Sequence, residues 1–171
     1  KLCHKRSMNR HDSMRGWFAY ELYQRMKQNQ NIILLVGDLG YGVWNAVRDE
    51  MPKQFINTGA AEQALLDIAC GMALTGKIPI VYSITSFLLF RPFECIRTYI
   101  NHESLNVKLI GSGRDKDYLH DGISHYSMED RQLMALFPNI HAVWPETKEE
   151  IPALVDTMIK DNSPWYINLR R

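Results

Sequence analysis

An acidic side chain and three aromatic rings occur close together in the middle of this sequence. Glu62 stands where a strand-like segment gives way to a helix-like one, and Phe87, Phe90 and Phe93 follow at intervals of three residues. Such intervals place side chains along one face of a helix. A carboxyl group beside aromatic rings suits a flat, nitrogen-containing ring, whose faces pack on the aromatics while its edge hydrogen-bonds the carboxyl group. Each residue also has an ordinary structural explanation, because the first turn of any helix favours glutamate and any core favours phenylalanine.

Helix-like and strand-like segments alternate along the chain and would have to position these residues. Apolar runs bounded by turn residues predict strands, within residues 31–40 and over 55–57, 79–84, 106–111, 140–143 and 165–169. Segments with apolar residues at helical spacing lie between them, over 13–30, 43–50, 61–75, 87–101, 128–137 and 147–161. Strands joined by crossover helices form a parallel sheet. We therefore predict a single α/β domain over residues 1–171, doubly wound around a mostly parallel sheet, with residues 1–10 as a flexible N-terminal segment.

The residues with chemical potential all follow predicted strands. Asp38 follows the first strand, Glu62 the second and Phe87 the third, while a polar loop from Arg114 to His125 follows the fourth. In open α/β sheets, ligands bind beyond the carboxyl ends of the strands. The order therefore predicts one ligand-binding cleft built from these segments.

Composition and charge restrict the class of protein. The chain has 171 residues, of which 46% are hydrophobic and 23% charged, as is typical of a water-soluble globular domain. A net charge of +1 offers no electrostatic attraction for nucleic acid or an anionic membrane, and no apolar run approaches the roughly 20 residues that cross a bilayer. Cys3, Cys70 and Cys95 are far apart and form no metal-binding spacing. We therefore expect no disulfide framework, no metal held by this chain alone and a cytoplasmic location.

Several motifs occur in an order that resembles a known family. They are GDLG at 37–40, GAAEQALLDIACGMAL at 59–74, TSFLLFRPFECIR at 85–97 and DGISHYSMED at 121–130. Together they resemble the pyrimidine-binding domain of transketolase and of its relative deoxyxylulose-phosphate synthase, over nearly the whole chain. The resemblance implies an enzyme that uses thiamine diphosphate and transfers a two-carbon ketol or acyl unit to a sugar-type aldehyde or ketone acceptor.

The resemblance also implies roles at the cofactor. Glu62 would hydrogen-bond a ring nitrogen of the aminopyrimidine of thiamine diphosphate and so activate the cofactor. Phe87, Phe90 and Phe93 resemble the aromatic residues that wall the pyrimidine. Asp38, in the GDLG motif, is predicted to join the same cofactor-binding site.

Two residues of the DGISHYSMED motif resemble the substrate-facing residues of transketolase. Asp121 and His125 match its aspartate and histidine, so both are predicted to be catalytic. A histidine can hydrogen-bond a substrate hydroxyl or transfer protons near neutral pH. His125 is therefore also predicted to bind substrate.

Three arginines are predicted to contact the substrate. Arg114 and Arg170 resemble phosphate-contacting arginines of deoxyxylulose-phosphate synthase, and Arg91 occupies a position at which that enzyme also has arginine. A guanidinium group suits phosphate oxygens, because its planar fork donates two parallel hydrogen bonds. Gly113 stands where transketolase has a histidine, which departs from standard sugar-phosphate recognition.

One half of a thiamine diphosphate site has no counterpart in the sequence. In this family the diphosphate and its divalent metal are held by a GDG motif followed about 25 to 30 residues later by an asparagine pair, whereas this sequence contains GDLG but no GDG. The resemblance therefore implies a split enzyme, in which a second subunit with GDG…NN holds most of the magnesium site. The simplest assembly is a heterotetramer, and copies of this chain can also associate with each other. The predicted interface is an apolar surface around Phe87 to Tyr99.

Two alternatives share the predicted fold. One is the β-type subunit of a thiamine diphosphate-dependent 2-oxoacid decarboxylase or dehydrogenase, which usually carries a further domain. The other is a non-catalytic scaffold subunit, although the presence of Glu62, the phenylalanines and the Asp121–His125 pair argues against it. A partner with the GDG…NN signature would favour either enzyme over the scaffold.

Overall fold

A six-stranded parallel sheet forms the centre of the protein. The computed structural model describes residues 8–171. The strands are β1 Ile32–Val36, β2 Phe55–Asn57, β3 Ile78–Ile84, β4 Lys108–Ser112, β5 His141–Val143 and β6 Trp165–Leu169. They lie in the order β2-β1-β3-β4-β6-β5, and every pairing between neighbours is parallel.

Helices connect the strands on both faces of the sheet. They are α1 Met14–Gln28, α2 Asn45–Glu50, α3 Glu62–Leu74, α4 Thr85–Phe90, α5 Phe93–Cys95, α6 Asp130–Met134 and α7 Ile151–Lys160. A π-helical segment, Ile96–His102, continues α5. Short 3₁₀ turns cover Pro52–Gln54, Leu119–Asp121, Ile123–His125 and Lys148–Glu150.

Successive residues of each strand pack into different cores, as the two-residue repeat of a strand requires. Leu34 of β1 packs with Phe18 of α1 and with α7, whereas Leu35 packs on the other face with Leu66 of α3 and Ile96. Such burial on both faces explains why β1 reads as an uninterrupted apolar run. The prediction of a doubly wound α/β domain is therefore confirmed.

The predicted helix over 87–101 is interrupted, contrary to expectation. Strand β3 passes directly into α4, which ends at Phe90, and α5 begins at Phe93. Pro92 lies in the break and explains it. Proline lacks an amide hydrogen, and its ring clashes with the carbonyl group one turn earlier in a helix. The interruption changes the directions of the side chains that the spacing argument placed on one face.

The N-terminal segment was predicted to be flexible over residues 1–10, of which 1–7, with Cys3, lie outside the described residues. Met8 packs against the core, and the guanidinium carbon of Arg10 lies 3.8 Å from the centroid of the Trp17 ring.

The two other cysteines lie in the core. Cys70 and Cys95 are free and buried, with their sulfur atoms 3.6 Å apart. Within residues 8–171, no helix is both long and apolar enough to span a membrane. The same described residues contain no cluster of three or more His, Cys, Asp or Glu side chains that could hold a metal ion.

Candidate functional site

The candidate site lies where the strand order changes direction. Strand β1 pairs with β2 on one side and with β3 on the other, so the connections diverge from a crevice between β1 and β3. Ligands of open α/β sheets bind at such switch points. Gly37 directly follows β1 here, and a methyl group on it would lie 3.4 Å from Oε1 of Glu62. The backbone after β1 therefore lies next to the acidic side chain.

Glu62 is the first residue of α3 and is only 2% exposed. Its Oε2 accepts a hydrogen bond of 2.6 Å from Nη1 of Arg91, and its Oε1 accepts one of 3.4 Å from Oγ of Ser83, in β3. Arg91 is the only charged partner that the described residues bring to this carboxylate within 4 Å. A buried carboxylate is costly unless it is paired and hydrogen-bonded, so these contacts compensate for its burial.

Phe87 lies between the arginine and a histidine. The guanidinium carbon of Arg91 is 3.8 Å from the centroid of the Phe87 ring, and the His125 ring packs edge-on against it with the centroids 4.8 Å apart. Stacking of this kind contributes about 1 kcal/mol at a partly exposed site. Glu62, Arg91, Phe87 and His125 therefore form a continuous row of contacts, which we call the Glu62–His125 row.

The loop that carries His125 is fastened to the start of α4. Oγ of Ser86 donates a 2.6 Å hydrogen bond to the carbonyl oxygen of Ser124, and Oγ of Ser124 lies 2.9 Å from Nδ1 of His125. The ring of Tyr118 lies on another side of His125, with the centroids 5.8 Å apart. These contacts fix the imidazole beside Phe87.

The two predicted aspartates lie outside the row. Asp121 is exposed in a 3₁₀ turn, where its backbone amide donates to the carbonyl oxygen of Tyr118. Asp38 is exposed in a left-handed conformation, with φ of 56°, and accepts hydrogen bonds from Tyr41 Oη (2.5 Å) and Asn57 Nδ2 (3.3 Å). These bonds, Tyr41 first, lower the pKa of Asp38. They join the ends of β1 and β2 and do not reach Glu62.

The three predicted phenylalanines do not share one surface. Phe87 lies in the row, and Phe90 is 48% exposed. Phe93 packs against Phe137, with the centroids 5.5 Å apart, and lines a separate cleft of about 620 Å³. The break at Pro92 explains the different surroundings of Phe93, because intervals of three align side chains only along an uninterrupted helix.

Arg114 has a different environment from the one that its predicted substrate contact requires. Its side chain is only 2% exposed, and Nη2 donates to the carbonyl oxygens of Pro145 (2.8 Å) and Asn168 (2.7 Å), while Nη1 contacts Glu146. Burial, first, and the charge of Arg170 lower the pKa of Arg114. The guanidinium group therefore fastens β4 to β6 instead of facing the cleft. Arg170 remains 45% exposed, 3.8 Å from Glu146.

Tyr118 and its neighbours are site residues that the sequence did not reveal. The hydroxyl group of Tyr118 hydrogen-bonds Oγ of Ser112 (2.8 Å) and accepts from Nη1 of Arg15 (3.3 Å), and the guanidinium carbon of Arg171 lies 4.9 Å from its ring. A methyl group on Gly113 would lie 2.2 Å from that ring. Gly113, directly after β4, was the visible sign in the sequence, because a large neighbouring ring needs the space that a small residue leaves.

Comparison with known proteins identifies the family. Residues 12–171 match the family described as the transketolase pyrimidine-binding domain. The chain belongs to this family. The resemblance predicted from the motifs is therefore confirmed.

Similar proteins include single subunits and split enzymes. A putative transketolase C-terminal section of Methanocaldococcus jannaschii is 30% identical over 159 residues, which cover 92% of this chain and 50% of that protein. An apulose-4-phosphate transketolase subunit of Actinobacillus succinogenes is 32% identical over 120 residues, covering 70% and 39%. A solved split-gene transketolase, described as an inactive β4 tetramer, superposes with a TM-score of 0.82 at 30% identity, covering 93% and 51%. The chain thus spans about half the length, or less, of these relatives.

Proposed function

We propose that this chain supplies the pyrimidine-binding part of a thiamine diphosphate-dependent, transketolase-like transferase. The enzyme would transfer a two-carbon ketol or acyl unit to an aldehyde or ketone acceptor. The observation that carries the proposal is the environment of Glu62, a buried carboxylate at the switch point of the sheet beside the half-buried ring of Phe87. This combination can hold a flat ring by its edge and its face.

The pyrimidine of the cofactor fits these residues. The Glu62–Phe87 pair already accommodates a flat nitrogen-containing group, because the guanidinium of Arg91 donates to the carboxylate and stacks on the ring. An aminopyrimidine is also flat and carries nitrogen at its edge. Glu62 and Phe87 would hold it, with Phe90, Phe93 and Asp38 as outer members. When bound, thiamine diphosphate supplies the nucleophilic carbon for the reaction.

The substrate would lie on the His125 side of the row. Its half-buried imidazole can hydrogen-bond a hydroxyl group or transfer a proton, with the exposed Asp121 in the same loop. One relative is named for a phosphorylated sugar, apulose 4-phosphate, which supports an anionic substrate here. Arg170 and Arg91, both 45% exposed, would then contact its anionic end, whereas Arg114 is too deeply buried to do so.

A partner subunit would complete the enzyme. The similarity to proteins named as transketolase subunits supports an assembly of separate chains. We propose that the partner carries GDG…NN, binds the diphosphate with magnesium, and forms a heterotetramer with this chain. Free, buried thiols at Cys70 and Cys95 suit a reducing, cytoplasmic location.

Substitution of Glu62 tests the proposed function. Glu62→Ala and Glu62→Gln would be assembled with the partner, thiamine diphosphate and magnesium, and ketol transfer from ketose donors would be measured beside 2-oxoacid turnover. We expect Glu62→Ala to abolish turnover while gel filtration still shows the complex. Gln63→Ala, at the exposed next position of α3, is the matched control and should retain activity. Full activity of Glu62→Ala would overturn the proposal.

A further inference from the structure

Arg91 occupies the position that a flat ring would need. Its Nη1 lies 2.6 Å from Oε2 of Glu62, and its guanidinium carbon lies 3.8 Å from the centroid of Phe87. The guanidinium group thus uses the carboxylate and the aromatic face that the proposed function assigns to an edge-bound, stacked heterocycle. One face of a phenyl ring has room for only one planar group, so a ring that stacks on this face of Phe87 would have to displace the guanidinium group.

The local fold explains how Arg91 reaches these partners. Phe87 and Arg91 are four residues apart, and Arg91 keeps a helical conformation at the end of α4, so its side chain lies along the face that bears Phe87. Pro92 ends the helix directly afterwards. The arginine is therefore directed towards Glu62 by a defined helix end.

The two partners of this ion pair differ in exposure. The side chain of Glu62 is 1% exposed and that of Arg91 is 45% exposed. The glutamate cannot leave, because α3 and the strand ends enclose it, whereas the arginine can swing into water without a change in the backbone. When it leaves, another hydrogen-bond donor must compensate the buried carboxylate.

We infer that Arg91 is an internal occupant of the pyrimidine subsite, which the cofactor ring must displace in order to bind. This inference rests on the proposed function, because it assigns the ring to Glu62 and Phe87. It follows that Arg91 raises the apparent dissociation constant of the ring by a factor of 1/(1 − f), where f is the fraction of molecules in which Arg91 fills the subsite. If that fraction is about nine in ten, removal of the guanidinium group tightens binding about tenfold.

A fragment of the cofactor tests the inference on this chain alone. The probe is 4-amino-5-aminomethyl-2-methylpyrimidine, and its dissociation constant is measured by calorimetry for the wild type and for Arg91→Ala. We expect Arg91→Ala to bind the probe about tenfold more tightly. Arg97→Ala removes an exposed arginine that lines the separate cleft beside Phe93, and it should bind as the wild type does.

Two further variants separate the possible failures. Arg91→Met keeps an apolar stem over Phe87 and guards against an Arg91→Ala chain that does not fold; it too should bind more tightly than the wild type. Equal or weaker binding by both Arg91 variants, or no binding by either, would overturn the inference. Glu62→Gln in the Arg91→Met background should weaken binding. If it does so although Arg91 has no effect, the proposed function survives; if binding is tight and Glu62→Gln leaves it unchanged, the proposed function fails as well.

Discussion

At the level of single residues, Phe87 and Phe93 are alike in type but differ in surroundings. Phe87 contacts Arg91 and His125, whereas Phe93 packs against Phe137. We expect Phe87→Leu to weaken thiamine diphosphate binding by the assembled enzyme about fivefold, since a stacked ring contributes about 1 kcal/mol beyond its burial. Phe93→Leu should instead lower the melting temperature and leave cofactor affinity within about twofold. Calorimetry and thermal unfolding of both variants check this, and a reversed pattern would contradict the assignment of Phe87.

The buried Lys108 gives stability a dependence on pH. The lysine is fully buried in β4, and its Nζ donates to the carbonyl oxygens of Asp161 (2.7 Å) and Ser163 (2.6 Å). Burial lowers the pKa of Lys108 to about 8. Because an unfolded lysine titrates near 10.4, the unfolded chain binds more protons between these values, and the free energy of unfolding rises with pH across that window.

The predicted increase is about 2 kcal/mol between roughly pH 7.5 and 9.5. It should be absent from Lys108→Met, which has no titrating group at this position. Urea unfolding of both proteins at the two pH values isolates the contribution of the lysine, because all other groups cancel in the difference. An equal increase in the variant would show that Lys108 is not responsible.

Short-range sequence patterns revealed some site residues and not others. Glu62, Phe87, Arg91 and His125 lie in motifs at strand ends, and the structure brings them together. Arg114 was misleading, because the partners of its guanidinium group are backbone carbonyls about 30 and 50 residues further along the chain. No local pattern distinguishes such an arginine from one that faces a ligand.

At the level of elements, Asp130 joins the start of α6 to Trp144 and to strand β6. Its Oδ2 accepts hydrogen bonds from Trp144 (2.6 Å), Tyr166 (2.9 Å) and Asn168 (2.5 Å), and Asp130 is itself buried. Burial, together with the negative charge of Asp130, raises the pKa of Tyr166 well above its usual value. The carboxylate therefore holds the start of α6, which follows the loop of His125, against β6.

Removal of this anchor should be costly. We expect Asp130→Ala to lower the free energy of unfolding by about 3 kcal/mol, because two buried donors and one partly buried donor lose their acceptor. Glu129→Ala, at the less buried preceding position, should change it by less than about 0.5 kcal/mol. Urea denaturation of both variants measures the difference. Equal stabilities would show that water or other groups replace the acceptor at no cost.

The elements themselves could largely be predicted, since apolar runs and helical spacing alternate clearly along this chain. The continuous helix over 87–101 was the error, and Pro92 was its visible sign. The apolar residues on both sides of Pro92 have helical spacing, and this spacing predicted one continuous helix. The interruption matters for the site, because it separates Phe93 from the helix that carries Phe87 and Phe90. The roles of all three residues at the cofactor stay predictions.

At the level of the whole molecule, the parallel sheet brings distant segments to one edge. Ser83 contacts Glu62 because β3 lies beside β1, and His125 contacts Phe87 because β4 lies beside β3. This convergence follows from topology and was predictable. The surface that meets another protein was less predictable, because the sequence shows which residues are apolar but not which of them stay exposed after folding.

An exposed aromatic residue offers a test of the partner interface. Tyr99 lies in the π-helical segment after α5 and is 50% exposed, within the surface predicted to meet the second subunit. Tyr99→Glu should leave thermal unfolding of the isolated chain unchanged, since water already reaches the side chain. It should weaken association with the partner at least about tenfold, because a charge would be buried at the interface. Lys160→Glu, exposed on α7 at the opposite face of the sheet, is the matched control.

The same mixtures reveal how binding of the cofactor depends on assembly. The isolated chain should bind thiamine diphosphate weakly, because it offers contacts to the pyrimidine and, in the proposal, none to the diphosphate and its magnesium. Addition of the partner should restore tight binding for the wild type and Lys160→Glu, whereas Tyr99→Glu should need a higher partner concentration to reach the same saturation, since the second half of the site arrives only with the complex. Calorimetry at several partner concentrations measures this shift. Tight binding by the isolated chain would show that this domain holds the whole cofactor itself, and the split site would have to be abandoned.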